Sequence, residues 1–152
     1  MKKLLFICHG NICRSPMAEF IFKDLIQKKH CADNFYVESA ATSMEEIGNP
    51  VYPPARQKLA EHGISCARKH ARRFQKGDYA EYDLLLVMDR YNYANLLPMT
   101  GNDPDGKIHL LLDYTSQKGE ISDPWYTRDF ERAYQDIVRG CKGLLAALTE
   151  GK

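Results

Sequence analysis

The chain has 152 residues, 44% of them hydrophobic and 27% charged, with a net charge of +1. That is the size of one folded domain with a real core, and the balance excludes a disordered, collagen-like or low-complexity chain. Near-neutral charge supplies no field to gather nucleic acid or anionic lipid, and no apolar run approaches the ~20 residues of a membrane span.

Taken in chain order, the apolar pattern alternates between strand and helix. Lys3 to Ile7 reads as a short buried strand that stops at a glycine-containing loop. Its apolar part, Leu4 to Ile7, is too short for a secretory signal, so the expected address is cytoplasmic. Ser15 is expected to cap a helix with Pro16 at its first position. Ala18, Ile21, Phe22, Leu25 and Ile26 then draw one apolar stripe. Phe35 to Ala40 is the second strand. Pro53-Pro54 opens a short helix that Gly63 can close. Tyr82 to Met88 is almost continuously apolar, the mark of a strand covered on both faces, and Asp89 caps a helix through Leu97. Ile108 to Leu112 makes a fourth strand. The last helix is expected from Thr127 to about Thr149.

No linker, repeat or low-complexity segment interrupts this succession, so residues 1–152 are read as a single domain. The alternation predicts an α/β fold in three layers: a four-stranded, twisted parallel sheet with helices on both faces. Ligands of such sheets bind beyond the carboxyl ends of the strands, where Cys8 and the pair Met88-Asp89 fall.

The five cysteines are Cys8, Cys13, Cys31, Cys66 and Cys141. Their odd number and the lack of a C-x-x-C pair argue against a disulfide framework. The five histidines are not spaced with them as zinc ligands, so no metal is expected.

The segment C-H-G-N-I-C-R-S-P, residues 8–16, carries the chemistry. Gly10 and Asn11 tolerate the left-handed dihedrals that let a short loop turn its N–H groups toward one point. The helix start adds further N–H groups and a positive dipole end. The predicted result is a phosphate-binding loop after the first strand, built from Cys8, His9, Gly10, Asn11, Ile12, Cys13, Arg14 and Ser15. Arg14 supplies a planar fork for two oxygens of the anion. Donors around Cys8 favour its thiolate, a nucleophile placed beneath the phosphorus, and the Ser15 hydroxyl is placed to donate to the same sulfur. A second constellation is Ser122-Asp123-Pro124-Trp125-Tyr126. Asp123, held extended by Pro124, is a candidate general acid. Trp125 and Tyr126 are candidate walls for an aromatic leaving group.

Together these residues resemble the low molecular weight protein tyrosine phosphatase family. The resemblance also includes S-A-A-T-S at 39–43, M-D at 88–89 followed by Asn92, and the C-terminal helix, and it spans nearly the whole chain. It implies hydrolysis of phosphotyrosine through a cysteinyl-phosphate, with Cys8, Arg14 and Asp123 catalytic and Asn11 holding the loop in shape. It implies no cofactor and no metal. The partners implied are phosphotyrosine proteins, a tyrosine kinase among them, with inorganic phosphate or vanadate as ligand and neither nucleic acid nor membrane. It also implies that Cys13 forms a reversible disulfide with the nucleophile.

Three departures stand out. His9 replaces an apolar or small residue, and either lines the mouth or faces solvent. Met44 and Glu45 stand where animal members carry an aromatic wall. Lys69 stands where some members carry a loop-supporting histidine, and that role is transferred neither to Lys69 nor to His70. Arg68, Lys69, His70, Arg72 and Arg73 form a basic run, read as a solvated face, with a rim that guides acidic phosphopeptides as the alternative. The competing functions are an arsenate reductase, a phosphoarginine phosphatase and a phosphotyrosine-binding module without turnover. Isolated downstream cysteines, Ile12 in place of threonine, and the joint presence of Cys8, Arg14 and Asp123 weigh against them in that order.

Overall fold

Successive strand side chains point to opposite faces of a sheet, and in this chain both faces of the central strands are apolar. The computed structural model describes residues 1–150, so the last two residues of the 1–152 span lie outside the described part. Strand β1, Lys2–Cys8, lies inside a four-stranded sheet of order β2-β1-β3-β4. Its partners are β2 (Phe35–Ala41) and β3 (Leu84–Val87), and β4 (Ile108–Leu110) pairs with β3. All pairings are parallel.

Leu4, Phe6 and Cys8 face one cluster that includes Phe22 and Ile26 of α1 (Arg14–Lys28) and Ile137, Cys141 and Leu144 of α6 (Phe130–Glu150). Ala55 and Leu59 of α2 (Pro53–Ala60) join the same side. Leu5 and Ile7 face the other cluster, with Phe74, Leu85, Val87 and Leu96. Here α3 (Asp78–Glu81) and α4 (Arg90–Leu96) contribute the cover. The three layers expected from the alternating pattern are therefore present. Each fully buried Leu, Ile or Phe contributes about 1.5–3 kcal/mol relative to exposure. On the α1 side Phe6, Phe22 and Phe35 pack in succession, tilted and edge-on, at centroid distances of 5.9 and 5.4 Å.

Several boundaries differ from expectation. Helix α1 begins at Arg14 with Cys13 at the cap position and no side-chain cap, because the Ser15 hydroxyl is engaged elsewhere. The third strand is shorter than Tyr82 to Met88. The fourth ends at Leu110, and Leu111–Tyr114 coils into a 3₁₀ turn that buries Leu111 and Leu112 in the α1 and α6 cluster. The helix after Asp89 ends at Leu96 and passes into a 3₁₀ turn, Leu97–Thr100. The last helix does not start at Thr127. Residues Pro124–Thr127 form a separate turn, α5, ended by Arg128 in the left-handed region at φ 62°. Helix α6 then starts afresh, with the Asp129 carboxylate accepting from the Arg132 N–H at 3.0 Å. These breaks place α5 at the carboxyl edge of the sheet, beside the loop that follows β1.

Candidate active site

The loop between β1 and α1 is shaped by Asn11, which is 1% exposed and sits at φ 59°. Its Nδ2 donates to Ser15 Oγ at 2.7 Å and to Ser39 Oγ at 3.0 Å, and its Oδ1 accepts the Arg72 N–H at 3.1 Å. Every polar group of the side chain is thus used to tie the loop to α1, β2 and the 72–74 segment. Backbone bonds continue the attachment, from Thr42 N to the Cys8 carbonyl and from Tyr52 N to the Ile12 carbonyl. Asn11 alone takes the left-handed conformation expected of Gly10 and Asn11; at Gly10 a Cβ would lie 3.3 Å from Glu46 Cγ, a tight contact that side chain would have to relieve.

Three donors converge on Cys8 Sγ. The Asn11 N–H lies at 3.3 Å, the Ser15 N–H at 3.4 Å and Ser15 Oγ at 3.0 Å. Because Ser15 Oγ already accepts from Asn11, its own hydrogen is free to point at the sulfur. Arg14 is 1% exposed and stands between this sulfur and two carboxylates. Its Nη1 donates to Asp89 Oδ2 and to the Ile121 carbonyl, both at 2.7 Å, and its Nη2 donates to Asp123 Oδ2 at 3.3 Å. Burial works against the guanidinium charge, but Cys8, Asp123 and Asp89 together outweigh it and raise the Arg14 pKa. The Arg14 Nε–H is buried with no partner among the described residues. An oxyanion held in the loop would satisfy it.

Asp89 does two jobs. Its Oδ1 accepts from the Asn92 N–H at 2.7 Å, the expected cap of α4, while Oδ2 holds Arg14. Asn92 answers through Oδ1, which accepts from the Met88 and Asp89 N–H groups. A closed capping box therefore fixes the carboxylate that orients the arginine.

Behind Asn11 lies a buried chain that sequence reasoning did not single out. Ser39 Oγ donates to Glu19 Oε1 at 2.5 Å, and Glu19 also accepts from Lys23 Nζ at 2.6 Å. Lys69 Nζ donates to the Ser39 carbonyl at 2.9 Å and lies 3.5 Å from Glu19 Oε1. Burial lowers the Lys69 pKa, and Arg72 adds to that, while Glu19 and Glu38 oppose it. The basic run is therefore not one solvated face. Arg68 and His70 are exposed, but Lys69 turns into this network. Arg72 pairs with Asp78 at 2.9 Å, and Arg73 donates to the Thr42 carbonyl. None of the five lines the mouth of the loop.

That mouth is a pocket bounded by Cys8, His9, Gly10, Ile12, Cys13 and Arg14 on the loop and by Asp123, Trp125 and Tyr126 opposite. Asp123 is extended at φ −80°, and its Oδ1 caps α5 by accepting the Trp125 N–H at 3.0 Å. Trp125 and Tyr126 are 43% and 79% exposed, and the Trp125 ring packs on Tyr52 at 4.8 Å between centroids. Glu45 and Glu46 form a third side. His9 faces Glu45, with Nε2 3.1 Å from Oε2. Cys13 is buried, and burial first, then the neighbouring Cys8 and Asp123, push its thiol upward. All the loop and wall residues expected from sequence, apart from the inward-turned Asn11 and Ser15, thus border one pocket at the carboxyl end of β1.

Glu19 and the Ile121 carbonyl are the supports that were missed, while Ser39 lay within S-A-A-T-S without a role and Lys69 stood at the position from which the loop-supporting role was withheld. Glu19 had a signal, since it shares the α1 face of Ser15, Ala18, Phe22 and Ile26. A backbone carbonyl has none. Among the described residues, no group of three or more His, Cys, Asp or Glu is placed to hold a metal ion.

The chain matches the family described as low molecular weight phosphotyrosine protein phosphatase over residues 3–152. It is 39% identical to the low molecular weight protein-tyrosine-phosphatase YfkJ of Bacillus subtilis, over 100% of this chain and 99% of that protein. It is 41% identical to the human low molecular weight phosphotyrosine protein phosphatase, over 95% of this chain and 94% of that protein. The crystal structure of YfkJ superposes with a TM-score of 0.96, covering 100% of this chain and 97% of that one. The Drosophila arginine phosphatase superposes with a TM-score of 0.89 at 31% identity, covering 98% of each chain. The chain belongs to the low molecular weight phosphotyrosine protein phosphatase family.

Proposed function

We propose that residues 1–152 act as a single phosphatase domain that hydrolyses phosphotyrosine, and aryl phosphates in general, through a cysteinyl-phosphate. The observation that carries this is the convergence of three donors on Cys8 Sγ beside a buried arginine with a free Nε–H. In the first step the Cys8 thiolate attacks phosphorus, the P–S bond forms and the P–O bond to the ring breaks. Asp123 gives its proton to the departing oxygen. In the second step water attacks the same phosphorus, Asp123 takes its proton, and the thiolate leaves toward the Ser15 hydroxyl. Arg14 and the loop N–H groups hold the equatorial oxygens throughout.

Trp125 and Tyr126 flank the ring of the substrate, and Ile12 adds an apolar edge. That edge favours an aryl group over the polar guanidine of phosphoarginine. Cys31, Cys66 and Cys141 all lie outside the pocket lining, which disfavours the electron relay of an arsenate reductase. The partners are phosphotyrosine proteins, tyrosine kinases among them, with phosphate and vanadate as ligands. All five cysteines are free, in keeping with a cytoplasmic address.

Purified protein is expected to hydrolyse p-nitrophenyl phosphate in EDTA and to be inhibited by vanadate; absence of turnover overturns the proposal. For Asp123→Ala, kcat/KM should fall about 10²-fold or more with a poor leaving group such as phenyl phosphate, and far less with p-nitrophenyl phosphate. Equal losses on both would remove Asp123 as the acid. Cys13 adds a protective step. Peroxide converts the Cys8 thiolate to a sulfenic acid, the Cys13 thiol attacks that sulfur, an S–S bond forms and water leaves. Mass spectrometry after mild peroxide should find a Cys8–Cys13 link that dithiothreitol reverses. Sulfinic acid on Cys8 without that link would refute it.

A further inference from the structure

The phosphate pocket is cationic at its base and acidic at its rim. At the base, Arg14 is buried, committed to Asp89 and Asp123 through its terminal nitrogens, and keeps an unpartnered Nε–H. At the rim, Glu45 is exposed, with 68% of its side-chain surface free, and Glu46 lies against Gly10 with Oε1 accepting from Asn49 at 2.8 Å. The one basic side chain at the rim is His9, already facing Glu45 at 3.1 Å. No lysine borders the pocket, and its sole arginine is Arg14 at the base. Arg128, on the aromatic side, lies outside the pocket lining and packs on Tyr52: its guanidinium lies 5.6 Å from that ring and donates to the Tyr52 hydroxyl at 3.2 Å.

We infer that Glu45 and Glu46 select phosphotyrosine sites flanked by lysine or arginine. The inference rests on the phosphotyrosine reading above. With the phosphate on the loop and the ring between Ile12 and Trp125, the residues next to the phosphotyrosine must cross the rim. There they meet two carboxylates, Glu45 exposed and Glu46 half-buried. Cationic neighbours gain from that field, and acidic neighbours are repelled by it. This is the opposite sign to a rim that guides acidic phosphopeptides, because none of the basic run that would build such a rim lines the mouth of the loop.

The test uses two phosphotyrosyl peptides that are identical except for Lys or Glu on both sides of the phosphotyrosine. The readout is the ratio of their kcat/KM values, in which any general change in turnover cancels. At about 20 mM salt the Lys peptide should be favoured roughly five- to tenfold, the size of one or two exposed ion pairs. The ratio should approach one in the Glu45→Gln/Glu46→Gln variant and in about 500 mM salt. It should invert in Glu45→Lys/Glu46→Lys. A ratio near one in the unaltered chain, a preference for the Glu peptide, or a preference that survives removal of both carboxylates would overturn the inference. Hydrolysis of p-nitrophenyl phosphate with neither peptide cleaved would also overturn it while leaving aryl phosphate hydrolysis standing. No turnover of any substrate would instead remove the phosphatase reading itself.

Discussion

Cys8→Ser is expected to lower kcat with p-nitrophenyl phosphate by at least about 10⁴-fold, and to leave phosphate binding intact or tighter. The hydroxyl is nearly the same shape but does not ionise at neutral pH, and the three donors around the sulfur can stabilise only an anion that is there to be stabilised. The cradle itself should survive. Its shape is held by Asn11 through Ser15, Ser39 and Arg72, and none of those bonds uses the sulfur. The direction of the binding change follows from charge. A thiolate beneath a bound dianion repels it, by about 4 kcal/mol for two unit charges 4 Å apart at an effective dielectric of 20. Removing that charge relieves the repulsion while Arg14 and the loop N–H groups keep their attraction. Calorimetric titration with phosphate, beside steady-state kinetics, separates the two effects. A serine variant that turned over near the parent rate would end the covalent mechanism. One that lost both turnover and binding would show that the sulfur also holds the loop together.

The sheet and the loop were readable because both are written in local patterns. Continuous apolar runs at Leu4 to Ile7 and Leu84 to Val87, too short for helices, fit strands covered on both faces, and Gly10-Asn11 marks the turn that follows the first of them. The Asp89 cap was equally visible. Its second role, holding Arg14, was not, because the two lie 75 positions apart and no periodicity would bring them together. Ser15 misled in an instructive way. A serine before a proline reads as a helix cap, yet its hydroxyl serves Cys8 and Asn11, and the helix starts without it. The basic run failed for a related reason. Composition counts charges but does not say which of them find buried acids, and Glu19 and Asp78 claim Lys69 and Arg72. Glycines in α6 show the same limit. Gly140 and Gly143 look like helix weaknesses, but a Cβ at 140 would lie 2.6 Å from Leu111 Cγ and one at 143 would collide with the Tyr114 carbonyl. They are where the turn after β4 docks on the helix, a tertiary fact that no local window contains.

Arg14→Lys is expected to cost about 10²–10³-fold or more in kcat, although it preserves the charge. The guanidinium serves two directions at once. Its Nη atoms reach Asp89, the Ile121 carbonyl and Asp123, and its Nε–H and second Nη2 hydrogen remain for the anion. A single ammonium cannot span those acceptors and also present two parallel donors to a phosphoryl group. If it stays with Asp89, the phosphate loses its fork. If it moves to the phosphate, Asp89 and the Ile121 carbonyl are left desolvated, at about 1–3 kcal/mol for each buried group. Asp89→Asn supplies the contrast. The amide oxygen can still accept from the Asn92 N–H or from Arg14, so the arginine stays in place with a weaker anchor. A loss of roughly tenfold is then expected, the part owed to orientation. Kinetics of both variants on p-nitrophenyl phosphate, with thermal melts to separate unfolding from lost chemistry, decide the matter. Should Arg14→Lys match the parent, positive charge alone would suffice and the fork would be unnecessary. Should Asp89→Asn lose as much as Arg14→Lys, Asp89 would be as necessary to the pocket as the arginine it holds.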